Sequence, residues 1–319
     1  MPVFEMPLAE LKTYRGRNPK PDDFDAYWAV ALDELAATDP QVELQRAEFQ
    51  APFADCFDLY FSGVGGARIH AMYLRPSKRD EPHPAVLRFH GYSSSSGDWY
   101  DKLGYVASGW AVAAMDCRGQ GGSSEDVSRV RGSTFHGHII RGLQDEPEKL
   151  LFRQIYLDTV QLARVLMSFE EIDPERIGVT GASQGGGLTL ACAALEPRIK
   201  LAAPIYPFLC DFRRVWEMDL AKEAYEELTT YLRLFDPLHL KEDETFMRLG
   251  YIDVQHLVDR IKARVLFTVA LMDTVCPPST QFAAYNRIKS PKEMVIYPDY
   301  GHDTLPTASD RTYRFFTNL

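Results

Sequence analysis

The chain has 319 residues, of which 45% are hydrophobic and 25% charged, the composition of an ordinary globular protein. Its formal net charge is −10, and a surface this acidic repels phosphate backbones and anionic lipid. We therefore expect no nucleic-acid partner and no membrane binding. Because α/β folds of this length are often one domain, we predict a single domain over residues 1–319.

The N-terminal part of the chain predicts a helix followed by strands. Residues 22–37 carry apolar side chains at helical spacing behind an acidic start, within a helical extension of about residues 1–40. The segments around 42–62 and 67–75 alternate and carry β-branched or aromatic residues, which predicts strands with a turn at Gly65-Gly66. An antiparallel start of this kind is common at one edge of a mixed sheet.

Further along, short apolar runs alternate with helical patterns. Uninterrupted runs of this length suit strands buried on both faces, and their alternation with helices predicts a doubly wound, mostly parallel α/β sheet. The loops after such strands share one edge, where ligands bind. The runs lie at 85–89, 111–115, 176–180, 201–206, 264–270 and 293–297, and the helical patterns at 148–169, 186–195 and 278–288.

Residues 208–260 interrupt this alternation. They are rich in charge, mostly helical in character and without a strand-like run. We predict a helical insertion between two strands that lies near the active edge, as a cap or as an assembly surface.

The cysteines and the N-terminus indicate the cellular compartment in which the protein works. Five cysteines at scattered spacing predict neither a disulfide framework nor a zinc site. The N-terminus has no long apolar core and no small-residue cleavage site, so we expect no signal peptide and a cytoplasmic protein with reduced thiols. His136 and His138 lie close together, but no cysteine or carboxylate partner is evident, so we predict no metal site there.

The sharpest motif is G-x-S-x-G at Gly181-Ala182-Ser183-Gln184-Gly185, which follows the run at 176–180 and begins a helical stretch. A turn from strand to helix this tight strains the serine backbone and leaves space only for small neighbours. The turn lifts the serine hydroxyl above the sheet edge at a helix N-terminus, where negative charge is favoured. This context predicts that Ser183 is a nucleophile.

A serine hydroxyl reacts only when a base takes its proton. After this type of turn, the acid follows the serine and the histidine comes last. Of the eight histidines only His239, His256 and His302 follow Ser183. His302 stands in a turn directly after the run at 293–297, so we predict that it is the general base. The other two lie in the charged insertion, where a solvated or packing histidine is expected.

The third member should end a strand between the serine and the histidine. Asp273 follows the run at 264–270, so we predict that it fixes the imidazole tautomer and stabilises the imidazolium. Asp299 and Asp303 are too close to His302 in sequence to form the usual separate arm.

An oxyanion hole requires backbone N–H groups aimed at the developing negative charge. One is expected from Gln184, directly after the nucleophile. The second is expected from the loop after 85–89, where His90-Gly91 leads into Tyr92. The Gly-rich segment 118–122 lacks the Lys-Ser/Thr pair of a phosphate loop, so we expect a tight turn there.

Together these features indicate an α/β-hydrolase fold, and the chain resembles carbohydrate esterase family 7, the acetyl xylan esterases and cephalosporin-C deacetylases. The matching residues include Arg118-Gly119-Gln120, the Gly181–Gly185 elbow and His302-Asp303, where the family usually has glutamate after the histidine. Further matches are RGLQD at 141–145, DPERIGVTGASQGGGLTLA around the elbow, CPPSTQFAAYN at 276–286 and FDAYW at 24–28.

The resemblance implies deacetylation of small acetate esters, such as acetylated xylo-oligosaccharides and cephalosporin C, without metal or cofactor. It implies that Pro207, Phe208 and Val275 border a short-acyl pocket, and that the chain assembles as a homohexamer. Two alternatives stay open: a peptidase or longer-chain carboxylesterase of the same fold, and a non-catalytic binding protein. The latter usually loses a triad member, whereas here all three residues occur in the right order.

Overall fold

Nine strands pair into one sheet in a computed structural model that describes residues 5–78, 81–132 and 137–319. In chain order the strands are β1 (Glu43–Arg46), β2 (Ala54–Ser62), β3 (Arg68–Pro76), β4 (His83–Phe89), β5 (Ala111–Met115), β6 (Ile172–Ala182), β7 (Leu201–Ile205), β8 (Arg264–Ala270) and β9 (Lys292–Tyr297). Their order across the sheet is β1-β2-β3-β5-β4-β6-β7-β8-β9. The pairs β1–β2, β2–β3 and β3–β5 are antiparallel, and the others are parallel.

Helices cover both faces of the sheet. They are α1 (Leu8–Leu11), α2 (Phe24–Ala36), α3 (Leu103–Ala107), α4 (Leu151–Met167), α5 (Gln184–Leu195), α6 (Phe212–Glu217), α7 (Glu226–Phe235), α8 (Glu242–Leu249), α9 (Pro278–Tyr285) and α10 (Ala308–Phe316). Apolar side chains of α2, α4, α5 and α9 belong to the larger core, whereas α10 packs in a separate cluster on the opposite face.

The central strand β4 shows why an apolar run becomes a strand here. Val86 packs in the same cluster as Phe316 of α10, whereas its neighbours Ala85 and Leu87 belong to the larger core. Successive side chains of a strand point to opposite faces, so both faces of β4 need apolar residues. The predicted mostly parallel α/β sheet is therefore confirmed, with its antiparallel part at one edge.

Residues 208–260 lie between β7 and β8 and contain α6, α7 and α8. All of these residues are described, and none of them is in a strand, as the charge-rich pattern predicted. Several apolar side chains of the segment face solvent, among them Leu234, Leu238 and Leu240.

The described residues differ from the sequence prediction in detail. The segment 42–62 forms two paired strands instead of one, and the helices α3 and α10 had no predicted counterpart. Within the described ranges, no helix combines the length and the apolar character needed to span a bilayer.

Candidate active site

Ser183 stands alone between the last residue of β6 and the first residue of α5. Its backbone has φ 57° and ψ −121°, a conformation that a residue with a side chain rarely adopts. Hydrogen bonds hold it there: its N–H donates to the Ile205 carbonyl at 3.0 Å, and its own carbonyl accepts the N–H groups of Gly187 and Phe208 at 3.1 and 2.9 Å. The strained serine that the motif predicted is therefore present.

The glycines around Ser183 leave no space for a side chain. At each of four positions, an added Cβ atom would lie 2.1–2.7 Å from a backbone atom of a neighbouring segment: Gly181, Gly185, Gly186 and Gly187. Contacts this short with backbone cannot be relieved by a side-chain rotation. Close approach of α5 to the strand ends therefore requires glycine at all four positions.

The loops after β8 and β9 bring Asp273 and His302 together. His302 Nδ1–H donates to Asp273 Oδ2 at 2.8 Å, since the carboxylate can only accept. Asp273 is completely buried, and its Oδ1 accepts the N–H groups of Val275 and Cys276 at 2.9 and 2.8 Å. The Tyr206 ring packs 4.7 Å from the imidazole, so the histidine is oriented from two sides.

Ser183 and His302 line one cavity of about 450 Å³. It lies above the α10 face of the sheet, where Arg88, Thr180 and Thr312 contribute polar groups. The cavity falls within the roughly 300–1,000 Å³ typical of small-molecule sites. The strained serine and the histidine of the His302–Asp273 pair thus line the same pocket.

The three residues expected around the acyl group do not line this cavity. Pro207 is buried against Gly186, and Phe208 is buried next to the elbow. Val275 is partly buried and follows Asp273 closely in the same loop.

The two residues expected to supply oxyanion-hole amides lie on adjoining segments. Gln184 is the first residue of α5, so its N–H has no carbonyl one turn earlier in the helix to bond. Its buried side-chain amide pairs reciprocally with that of Gln120, at 2.8 and 3.0 Å, and Gln120 Oε1 also accepts the Ser93 N–H at 2.9 Å. Gln120 therefore connects the turn at Ser183 to the loop that contains Tyr92.

The Tyr92 side chain reaches the helical insertion. Its hydroxyl donates to the carboxylate of Glu227 on α7 and accepts the His138 N–H at 2.9 Å. Its ring packs edge-on to Phe208, with centroids 5.4 Å apart. Nothing in the local sequence marks Glu227, one of several acids in a charged segment, so sequence analysis missed it.

Cys276 is a second residue that sequence analysis did not connect with the site. Burial raises the pKa of its thiol well above the usual value, against a lowering effect of hydrogen bonding to Ser183. The ligand atoms of Asp273, Cys276 and His302 lie within 4.8 Å of one another, the one group of potential metal ligands found in the described ranges. Cys276 is completely buried and does not line the cavity, so it lies behind Ser183 and Asp273.

Arg118 and those remaining histidines of the sequence analysis that the structure describes make contacts away from Ser183 and His302. Arg118 forms a buried ion pair with Asp158 at 2.5 Å. His239 pairs with Glu242 at 3.0 Å on the exposed part of the insertion, and His256 is buried in the core. Of the close histidine pair, His138 contacts Tyr92, whereas His136 lies outside the described residues.

A strained serine at a strand-to-helix turn, followed by an acid after one strand and a histidine after the last, defines the α/β-hydrolase class. More distant α/β hydrolases, such as one from Penicillium sp. sh18 at 17% identity and a TM-score of 0.57, share the fold alone.

Comparison with known proteins then identifies the family. The model of the family described as Acetyl xylan esterase (AXE1) matches residues 1–319, and the chain belongs to this family. The resemblance inferred from the motifs is thereby confirmed.

Solved structures support the same assignment. Acetyl xylan esterase 1 from Thermoanaerobacterium sp. JW/SL YS485 is 58% identical, with a TM-score of 0.97 over 98% of this chain and 99% of that one. An acetyl xylan esterase from Paenibacillus sp. R4 is 36% identical, with a TM-score of 0.94 over 98% of this chain and 100% of that one.

Curated relatives match over part of their own length. Acetyl esterase Axe7A from Xylanibacter ruminicola is 28% identical over 92% of this chain and 65% of its own length. The chain spans about half to two thirds of the length of the curated relatives it matches.

Proposed function

We propose that this chain is a serine esterase that removes acetyl groups from small esters through an acyl-enzyme intermediate on Ser183. The observation that carries the proposal is the placement of the strained Ser183 and the Asp273-paired His302 on one cavity. Membership of the acetyl xylan esterase family supports acetate as the acyl group.

The proposed reaction begins when His302 Nε2 accepts the proton of the Ser183 hydroxyl and the serine oxygen attacks the ester carbonyl carbon. The resulting oxyanion is stabilised by the backbone N–H groups of Tyr92 and Gln184. The imidazolium gives its proton to the leaving alcohol, and the ester C–O bond breaks to leave an acetyl-serine. Water, deprotonated by His302, then attacks the acetyl carbon. The bond to the Ser183 oxygen breaks, the imidazolium returns its proton to that oxygen, and acetate leaves, while Asp273 keeps Nδ1 protonated throughout.

The proposed substrates are acetylated xylo-oligosaccharides and the acetoxymethyl group of cephalosporin C. Two solved relatives are named acetyl xylan esterases, which favours the sugar esters. In this proposal Pro207, Phe208 and Val275 border the acyl methyl group, beside the elbow and outside the cavity of about 450 Å³. The cavity then takes the alcohol part, for which its hydroxyl-bearing and cationic lining is suited.

A general carboxylesterase is the second candidate, because a cavity of about 450 Å³ next to Ser183 could instead accept a longer acyl chain. An acyl-length series separates the two candidates.

We further propose that the chain is one hydrolase domain over residues 1–319 that assembles as a homohexamer and acts in the cytoplasm. Exposed apolar side chains on the insertion, such as Leu238 and Leu240, support assembly. All five cysteines are free and buried, which is compatible with a reducing compartment.

The test compares the wild-type protein and Ser183→Ala on acetylated xylo-oligosaccharide and on cephalosporin C. We expect acetate release from both substrates by the wild type and a loss of turnover on the order of 10⁶-fold in the variant, with the fold intact. Near-full activity of a folded Ser183→Ala protein would refute the proposal.

A further inference from the structure

We infer that Glu227 is a positioning residue for the reaction: its carboxylate, supplied by the helical insertion, fixes the Tyr92 side chain and with it the loop of the oxyanion hole. The inference rests on the proposed function, because it takes the Tyr92 N–H as a donor to the oxyanion. It gives the insertion an indirect part in the chemistry, through Tyr92.

The Glu227 carboxylate, called the anchor below, is buried and holds two other segments by hydrogen bonds. The residue is only 2% exposed, although it lies on α7 in a charge-rich segment. One carboxylate oxygen accepts the Tyr92 hydroxyl, and the other accepts the Ile140 N–H at 2.9 Å. Three separate segments, namely α7, the loop after β4 and residues 137–140, therefore meet at one carboxyl group.

The space around the carboxylate is closed as well. A Cβ atom added to Gly137, where φ is +85°, would lie 2.2 Å from Glu227 Oε2. Burial raises the pKa of Glu227 to about 7, against the lowering effect of hydrogen bonds from Tyr92 and from the backbone of residues 138–140. Burial of an acid carries a desolvation penalty that these hydrogen bonds offset, and such groups concentrate at functional sites.

The anchor is connected to the nucleophile through packed groups. The Tyr92 ring contacts Phe208, and the Phe208 N–H donates to the Ser183 carbonyl at 2.9 Å. Tyr92 is thus fixed at its hydroxyl by Glu227 and at its ring by a residue bound to the elbow. Loss of the hydroxyl contact frees the loop to shift its N–H away from the oxyanion, where a misplacement of about 1 Å is costly.

The experiment uses two conservative variants and one matched control. Tyr92→Phe keeps the ring and the backbone N–H but removes the hydroxyl. Glu227→Gln keeps the size but places an amide N–H₂ against one of the donors that the carboxylate accepts. Glu226→Gln changes the preceding acid on the same helix, which is exposed.

We expect Tyr92→Phe and Glu227→Gln each to lower kcat on a 4-nitrophenyl acetate substrate by about 10- to 100-fold, with KM changed less than about twofold. The double variant should lose no more than the worse single variant, because both remove one shared interaction. The affinity for a trifluoromethyl ketone that forms an oxyanion at Ser183 should fall in parallel with kcat, whereas Glu226→Gln should match the wild type.

Two outcomes would overturn the inference: kcat within about twofold of wild type in both single variants, or fully additive losses in the double variant. In either case an inactive Ser183→Ala protein leaves the proposed function standing, so the two failures are distinguishable. If Glu227→Gln does not fold, Tyr92→Phe decides alone, since it removes a single oxygen atom.

Discussion

Asp273 Oδ2 lies 2.8 Å from Nδ1 of His302, and the same carboxylate accepts two backbone N–H groups through its other oxygen. An asparagine at this position would fill the same space. It could satisfy only part of this pattern, however, and it would present an N–H₂ group either to the imidazole or to the backbone donors. We therefore expect the carboxylate to fix which imidazole nitrogen carries the proton.

The first prediction concerns this pair. Asp273→Asn should lower kcat on the order of 10⁴-fold, because the wrong imidazole tautomer cannot accept the serine proton. Steady-state kinetics on 4-nitrophenyl acetate measures the loss. Asp303→Asn is the control, since Asp303 bonds the Gly301 N–H at 3.0 Å and is not paired with the imidazole. A larger loss in the control than in Asp273→Asn would exchange the roles of the two acids.

The second prediction concerns acyl length. The proposed triad and oxyanion hole act on any ester, so selection for acetate must come from the residues around the acyl group. Each methylene that fits adds about 0.8 kcal/mol of burial, whereas one that does not fit costs about 1–3 kcal/mol in strain. With Pro207, Phe208 and Val275 closing the pocket, kcat/KM should fall steeply from acetate to butyrate, and Val275→Ala should soften the fall.

A series of 4-nitrophenyl esters from acetate to octanoate, measured with both proteins, tests this prediction. A wild-type profile that rises toward octanoate contradicts the closed pocket. It would place the acyl chain in the cavity of about 450 Å³ and indicate a general carboxylesterase.

The third prediction concerns the pH dependence of stability. His70 is buried between two carboxylates, with Nδ1 2.7 Å from Asp116 and Nε2 2.9 Å from Asp58. Burial lowers the pKa of His70, but the hydrogen bonds to both carboxylates outweigh it, so the pKa is raised. The resulting stabilisation is fully present below the unfolded-state pKa of about 6.5 and is lost as pH rises through the folded-state value.

Urea unfolding of the wild type and His70→Gln at several pH values measures this effect. The free energy of unfolding should differ by on the order of 2 kcal/mol near pH 6, and the difference should shrink toward pH 9. A difference that stays constant or grows with pH would show that His70 is not charged in the folded protein.

The fourth prediction concerns assembly. Light scattering should give a mass well above the 36.2 kDa of one chain, close to a hexamer. Leu238 and Leu240 are 76% and 80% exposed on the insertion, so Leu238→Asp with Leu240→Asp should lower the mass. Val30→Asp, at an apolar residue of α2 that is 61% exposed, is the control and should leave it unchanged. A wild-type monomer, or dissociation by the control alone, contradicts this prediction.

The sequence predicts this fold well where an element is buried on every side and therefore needs an unbroken apolar run. A strand such as β4 needs apolar residues on both faces, so its pattern is visible without a partner. The α10 helix was missed although its buried residues Ala308, Thr312, Phe315 and Phe316 have the spacing of one helical face, because one of the four is a polar threonine and one is a small alanine. The family and the fold followed from local motifs, and both predictions are confirmed.

The sequence does not predict the contacts that support the candidate site, because they join residues far apart in the chain. The partner of Glu227 is Tyr92, 135 residues away in the sequence. The residue type alone does not distinguish the buried Glu227 from the exposed Glu226 beside it. Similarly, the pairing of Gln120 with Gln184 spans 64 residues. Such contacts depend on how the loops fold over the sheet edge, which no local pattern specifies.

The crowded backbone around Ser183 has a consequence for how this enzyme family can diversify. At Gly185 an added methyl group would lie 2.1 Å from the Phe89 carbonyl oxygen, so the elbow cannot accept even the smallest side-chain change. Inherited variation at these glycines is therefore closed off, whereas a position such as Val275, which is partly buried in a loop, can change its side chain without moving the elbow. We expect new substrate ranges to arise in the loops and the insertion, with the reaction itself inherited unchanged.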